Sequence, residues 1–471
     1  MSEFTPKIWM NVTTSANWHR APVGIVRVEQ SLCSELSRLY GEQFKQCVWQ
    51  DGDFIEWSPK IVEKQNALKG GENQIKEATL QPYITPPLYP LLSRRLALIA
   101  LAQGLLSLAP NKIRPYLNHF LCSLRLFILR MIKSDWVVRF RPLIRSSPPL
   151  PLLASNAEET QSEKKKMKLF SSGDVLISVG LDWGYEFYKE FYFLRKEKGV
   201  RVVTCCYDLI PVIYPQYCVG AVAGIFTSYF LEIADGSDLI LCISNQTEKD
   251  LQSMLYRVGG AKPKTYVFPL GDNVPIVDAD DVSPSVREIC KEPFILYVST
   301  IERRKNHEVL YRAYHLLCEE GKREILPKLL FVGMKGWGVG DLQKDIELDP
   351  LTLNLIIQLD TVTDGELRAL YEAAEFCVYP SLYEGWGLPV GEALSMGKVV
   401  LSSNAGSLPE VGGGLVVYVD PWDIRDWARK IFELSSNATY REDLEKKVRD
   451  SYMTRTWSQA ALSVYKQIQD L

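Results

Sequence analysis

The chain has 471 residues, 46% hydrophobic and 24% charged, with a formal net charge of −3. That is more chain than one core usually organises, so two or more domains are expected. The charge excludes a global nucleic-acid signature. Ten scattered cysteines without a C-x-x-C pair or zinc spacing favour reduced thiols, and four histidines leave little for a metal site.

In chain order, the opening residues MSEFTPKIWMNVTTS lack the charged and then apolar segments of a signal peptide. IWMNVTT reads as a strand and GIVRVEQSLCSELSRLY as an amphipathic helix. After a long interruption, DVLISVG, RVVTCCYD, LILCIS and TYVFP read as further strands separated by helices. His19 and Arg20 are open to two readings, an approach to an acceptor or plain loop residues. Trp183 and Tyr185 either line an acceptor groove or pack beneath the interruption, and packing is the preferred reading.

The interruption spans about 58–168. Residues 86–150 hold ten Lys/Arg (Arg94, Arg95, Lys112, Arg114, Arg125, Arg130, Lys133, Arg139, Arg141 and Arg145) against one acid, Asp135. The longest nearly apolar run, Leu96 to Leu108, has 13 residues. At about 1.5 Å per residue it is too short to span a bilayer core of about 30 Å. A basic amphipathic hairpin on an anionic membrane surface is the preferred reading; the alternative is a helical insert packed on the first domain. Ser155 to Lys168 is polar and reads as a mobile linker.

A linker near Asp272 to Pro284 separates the halves, giving domains at 1–275 and 276–454, with a final amphipathic helix (455–471) expected to pack back across the junction. Asp278-Ala-Asp280-Asp281 resembles a D-x-D metal motif but lies in this linker, away from strand ends, so metal binding there is disfavoured.

From Phe294 onward the pattern alternates FILYVST, LLFVGM, LIIQLD, FCVYP, VVLSS and VVYVD with helical stretches such as HEVLYRAYHLLCEE, DGELRALYEAAE and PVGEALSMG. Such alternation implies a parallel sheet covered by helices on both faces. Ligands bind such sheets beyond the carboxyl ends of the strands. Two loops fall there. ERRKNHE puts Arg303, Arg304 and Lys305 between strand and helix, a setting that suits a diphosphate. YPSLYEGWGLPVGEA places Glu384 on a loop and Glu392 about one turn inside a helix that Pro389 opens. Two hydroxyl-binding carboxylates and an anion cradle match the needs of a sugar nucleotide.

ERRKNHE, YPSLYEGWGLPVGEA and SLPEV together resemble glycosyltransferase family 4. That resemblance implies α/β fold class and GT-B architecture: two doubly wound Rossmann-like domains facing a cleft, here with a helical basic-hydrophobic insert in the first. It is strong over Phe294 to Pro421, moderate over the first strand and helix, and absent over the insert. It implies a retaining transferase with a nucleotide-diphosphate sugar donor and no metal or other cofactor. The first domain would take the acceptor and the second the donor. Glu384 would hold the donor sugar hydroxyls and Glu392 the ribose. Lys305 and Arg304 would bind the diphosphate, helped by backbone amides of Gly385, Trp386, Gly387 and Leu388. The loop at Thr361 and Val362 would face the base. Gly24 would admit the donor phosphates at the first strand's turn, although only one glycine stands there. Relatives carry a cation where this chain has Thr300, for which Arg303 or Arg304 would compensate. Tyr207 stands where many relatives carry a histidine. The adjacent Asp208 either contacts the acceptor hydroxyl or sugar, or caps a turn.

The function expected is transfer of a hexose or deoxyhexose to a saccharide, in lipid-linked form, during bacterial surface polysaccharide synthesis. The protein would be cytoplasmic and peripheral on the inner face of the cytoplasmic membrane, with no nucleic-acid partner. A nucleotide-sugar epimerase can share the architecture, but no convincing acid/base pair is seen. A membrane-docked, non-catalytic sugar-nucleotide-binding protein is opposed by intact Glu384, Glu392 and Lys305.

Overall fold

The computed structural model describes residues 6–19, 24–57, 167–218, 222–275 and 282–471. These belong to one compact unit containing two sheets. The basic stretch 86–150, almost all of the insert, Arg20 and the Asp278–Asp281 motif lie outside the described residues.

The first sheet has seven strands: β1 (Ile8–Asn11), β2 (Phe44–Gln50), β3 (Asp53–Trp57), β4 (Val175–Ser178), β5 (Arg201–Cys206), β6 (Leu239–Cys242) and β7 (Thr265–Val267). Their order is β3-β2-β1-β4-β5-β6-β7. All pairs are parallel except β2 with β3. That antiparallel hairpin was not expected. Asp51 and Gly52 join its strands with φ of 52° and 83°, the left-handed pair that a two-residue Asp-Gly turn supplies. The expected first strand also ends early: Thr13–Ala16 is a short helix.

Alternate strand residues face opposite sides of this sheet. Ile8, Met10, Val203 and Cys205 join one buried cluster; Trp9, Val202 and Cys206 join the other. Over the first face lies α1 (Ile25–Tyr40), burying Val28, Leu32 and Leu36. Helix α2 (Val222–Gly236) covers the second face with Phe226, Phe230 and Ile233. Trp183 packs edge to face on Tyr229, and Tyr185 stacks on Phe187; the insert they were expected to pack beneath lies outside the described residues. Met167 is fully buried, and its N–H donates to Asp53, so this residue does not belong to a mobile linker; positions 155–166 of that expected linker lie outside the described residues.

β1 and β4 flank the point where strand order reverses, and buried acids gather beyond their carboxyl ends. Glu29 of α1 accepts the Ser15 N–H at 2.7 Å. Burial pushes its carboxyl up to about 7, against the hydrogen bonds from Ser15 and Thr14. Burial likewise pushes the Asp182 carboxyl well up. The folded state therefore holds a proton on Glu29 that an unfolded chain would release near pH 4.5. The stability this supplies is complete below that pH and is lost as pH rises through about 7. Glu29→Gln is accordingly expected to stabilise the protein at pH 8 by up to about 3 kcal/mol and to change little at pH 5. Thermal melts at the two pH values check this, and equal shifts at both would discard it.

Six parallel strands form the second sheet: β8 (Phe294–Val298), β9 (Lys328–Val332), β10 (Ile356–Leu359), β11 (Phe376–Tyr379), β12 (Val400–Ser403) and β13 (Val417–Val419). Their order, β10-β9-β8-β11-β12-β13, is the doubly wound arrangement whose ligand crevice opens between the first and fourth strands, here β8 and β11. Helices cover it, and three of the crossover helices matter for the site: α3 (Asn245–Val258, from the first sheet), α4 (Asp364–Ala373) and α5 (Leu388–Ser395). The last helix, α6 (Trp457–Gln469), leaves this sheet and packs Ala461, Val464 and Ile468 into the first sheet's core beside Leu32 and Leu36. The whole is the GT-B architecture.

Candidate active site

The crevice between β8 and β11 is filled by charge. After β8 a turn of 3-10 helix, Arg303–Lys305, presents its side chains at the strand's carboxyl end. Asn306 closes that turn in left-handed conformation and donates to the carbonyls of Pro380 (3.1 Å) and Pro421 (2.8 Å). Leu382 N–H donates to the Arg304 carbonyl at 2.8 Å. The loops after β8 and β11 are thus bonded to each other through the backbone.

Glu384, 7% exposed, lies between two cations. Lys305 Nζ reaches its Oε1 at 2.5 Å, and the Arg304 guanidinium reaches Oε2 at 2.8 Å. Tyr379 donates its hydroxyl to Oε1 at 3.3 Å. Arg304 also pairs with the buried Glu302 at 2.6 Å. Burial alone would raise the Glu384 carboxyl; Arg304 and Lys305 outweigh it and hold it at about 2. Burial lowers the Lys305 ammonium, and the neighbouring Arg304 adds to the effect. Burial drives His307 to about 3, so that ring is neutral. It packs against Tyr297 and Phe331.

Glu392 lies inside α5, 6% exposed. Tyr371 of α4 donates to its Oε2 at 3.0 Å, and Arg27 of α1 donates to its Oε1 at 3.0 Å. Burial pushes this carboxyl up, opposed by Arg27 and Tyr371. Gly24 opens α1 with φ of 51°, three residues before Arg27.

Gly385 lies against the first sheet. A Cβ there would sit 2.1 Å from the Tyr207 carbonyl oxygen, so only glycine permits the approach. Thr247 Oγ1 lies 3.3 Å from that same carbonyl and 3.2 Å from the Gly385 carbonyl. Nearby, Glu410 accepts the N–H groups of Asn245 (2.8 Å) and Gln246 (2.7 Å) at the N-terminus of α3, where a carboxylate complements the helix dipole. Tyr383 donates to Asp250 at 2.6 Å. The two sheets therefore meet through polar contacts around the crevice.

The other residues marked in the sequence are placed as follows, and Asp208 fits the turn-capping one of its two readings. Asp208 caps a turn, its Oδ1 accepting the Ile210 N–H at 2.9 Å. It also senses the cluster: burial raises its carboxyl, and Arg304 is the strongest charge opposing this. Val362 is half-buried against the second core, while Thr361 is exposed. Trp386 and Leu388 turn their side chains to the first sheet's core cluster, leaving that segment its backbone. Arg303 is exposed. Thr300 is half-buried; its Cγ2 lies near Gly336 in the loop after β9. His19 is exposed. Arg27, Tyr371, Tyr379 and Glu302 join the site without having been singled out. Tyr379 and Glu302 lie inside the segments that drew attention, whereas Arg27 meets Glu392 across 365 residues and carries no local signal.

Among the described residues no group of three or more His, Cys, Asp or Glu side chains could hold a metal ion, and no helix is long and apolar enough to cross a membrane.

Doubly wound sheets with charged strand-end loops between them define the GT-B class. Residues 279–451 match the family model described as glycosyl transferases group 1. The O-antigen chain mannosyltransferase B of Escherichia coli is 29% identical over 266 residues, covering 55% of this chain and 69% of that one. The serotype-specific mannosyltransferase WbdA of Escherichia coli is 30% identical over 249 residues, covering 51% of this chain and 30% of that one. Sucrose-phosphate synthase from Thermosynechococcus elongatus matches with a TM-score of 0.49 at 21% identity, over 66% of this chain and 76% of that chain.

Proposed function

We propose that the chain is a retaining hexosyltransferase of glycosyltransferase family 4, with Glu384 and Glu392 as that family's E-x7-E pair. It moves a hexose or deoxyhexose from a nucleotide-diphosphate sugar to a saccharide acceptor in bacterial surface polysaccharide synthesis. The names of the two mannosyltransferases put mannose first among donor sugars. The observation that carries the reading is the buried Lys305–Glu384–Arg304 cluster at the carboxyl ends of β8 and β11.

In this reading the donor diphosphate takes Lys305 and Arg304 from Glu384, and the released carboxylate accepts hydrogen bonds from the sugar. Exposed Arg303 adds charge at the same turn, and Glu392 takes the ribose. The glycosidic bond to the diphosphate breaks on the face where the acceptor hydroxyl arrives. That hydroxyl bonds to the anomeric carbon, and its proton passes to the departing phosphate oxygen. No metal is needed, since two fixed cations stabilise the leaving charge in a site that excludes water. Asp208, beside the cluster, faces the acceptor side.

A panel of nucleotide sugars tests this. One donor is expected to be slowly hydrolysed and, with acceptor, to give a glycoside of the donor's own anomeric configuration by NMR. An inverted product would end the retaining assignment, and an isomeric nucleotide sugar would make the protein an epimerase.

The acceptor is proposed to be lipid-linked, with the enzyme peripheral on the inner face of the cytoplasmic membrane. The support is the basic, apolar composition of residues 86–150, nine positive charges in excess. Neutralising several arginines between Arg94 and Arg145 is expected to abolish flotation with anionic liposomes while sparing donor hydrolysis. Unaltered flotation would assign the insert to packing instead.

A further inference from the structure

Arg27 belongs to the first sheet's helix, yet its guanidinium serves two carboxylates of the second. One nitrogen donates to Glu392 Oε1 at 3.0 Å, and the other donates to Asp364 Oδ1 at 2.7 Å. The Arg27 side chain is 16% exposed and Glu392 8%, while Asp364 is open at 43%. The buried arm is therefore the one that reaches the site. Position 27 falls in the first turn of α1, three residues past Gly24. α1 is anchored in its own core by Val28 and Leu32, so the guanidinium is delivered on a rigid element.

Glu392 has little else to hold it charged. Tyr371 of α4 supplies a neutral donor at 3.0 Å. Asp364, at the start of α4, and Asp272, whose carboxylate is bonded by Tyr452, add negative charge nearby. Arg27 is the cation among these groups. A carboxylate accepts hydroxyl hydrogen bonds at all its lone pairs only while ionised, and charge-assisted bonds are roughly twice as strong as neutral ones.

We propose that Arg27 is a positioning residue for donor binding: it reaches across from the first sheet, fixes the Glu392 carboxylate in place and in charged form, and thereby makes nucleotide affinity depend on the approach of the two sheets. The inference rests on the reading that Glu392 receives the donor ribose. Asp364 is the outer anchor that keeps the guanidinium turned towards the cleft. Lysine at position 27 would restore the point charge without the two-armed bridge, because a guanidinium offers donors in a fixed fork and an ammonium does not.

The test is calorimetry with GDP, and with UDP where GDP gives no heat, from pH 6 to pH 8. The wild type is expected to bind one of them with the pH dependence that the nucleotide's own terminal phosphate brings. Arg27→Met is expected to bind about 10-fold more weakly than wild type at pH 8, and that gap is expected to widen towards pH 6, as Glu392 takes up a proton. Arg27→Lys recovers the wild-type pH profile but only part of the affinity. Asp364→Asn weakens binding 2- to 3-fold when Arg27 is present. In the Arg27→Met background the same change improves binding at pH 6, because it removes a negative neighbour from Glu392. This reversal of sign is not expected of a residue that merely joins the two sheets. Thermal melts establish that each variant is folded; should Arg27→Met not fold, Arg27→Lys and Asp364→Asn carry the test. Wild-type binding with unchanged affinity and profile in the position-27 variants overturns the role of Arg27 alone. Wild-type failure to bind either nucleotide overturns the donor-site reading and this inference with it.

Discussion

Replacing Glu384 by alanine abolishes sugar transfer, by about 10³-fold or more, because the group that holds the sugar and balances two cations is removed. The ion pairs at 2.5 and 2.8 Å add a second effect. Alanine leaves Lys305 buried without its carboxylate and Arg304 with Glu302 as its remaining partner, a loss of about 3–5 kcal/mol in stability. Glu384→Gln keeps the shape and one acceptor, so it is the cleaner probe. It is expected to remain folded at pH 7 and to lose transfer nearly as completely. Near-normal turnover in the glutamine variant would remove Glu384 from the site. The same carboxylate sets an acid limit. Its folded value of about 2 lies below the ordinary 4.5, so its contribution is complete above pH 4.5 and disappears as pH falls towards 2. The wild type is expected to lose that share of stability in acid, and the glutamine variant has none to lose.

Lys305→Ala weakens nucleoside-diphosphate binding by about 10- to 100-fold, the worth of one charge-assisted contact of about 1.5–3 kcal/mol. Glu384 keeps Arg304 at 2.8 Å as a partner, so the cost to the fold is smaller than for Glu384→Ala. The loss is also expected to be larger for a diphosphate than for the corresponding monophosphate, since the lysine faces the leaving group. Equal affinity in wild type and variant would move the phosphate site off the β8 loop.

The second sheet was legible in the sequence because each of its strands is a compact run rich in β-branched or apolar residues, buried on both faces in β8, β9, β11 and β12 and half-buried in the edge strands β10 and β13. The loops after FILYVST and FCVYP were legible for the same reason: a parallel strand's carboxyl end is a known place, and a charged residue just beyond it points to a ligand. β2 and β3 were not legible. FKQCVWQ and DFIEW mix polar with apolar residues, as strands near a sheet edge do, and their Asp-Gly turn lies only a few residues before the insert. Side-chain direction was equally hidden. Val362 and Trp386 lie on the loops the sequence marks, but whether such a residue faces the cleft or a core depends on contacts made far along the chain. Arg27 is the extreme case. The first turn of an amphipathic helix gives no hint that its arginine ends on a glutamate in another sheet.

The path of the final helix has a consequence for how the protein is made. Ala461, Val464 and Ile468 complete a hydrophobic cluster whose other members start at Ile8. The amino-terminal half therefore cannot finish its interior as it leaves the ribosome, as a self-sufficient leading domain would. It waits, partly open, until Ala461, Val464 and Ile468 have been synthesised. A nascent chain halted before Trp457 would bare the face that Leu32 and Leu36 expect to cover, and would depend on chaperones in a way the finished protein does not.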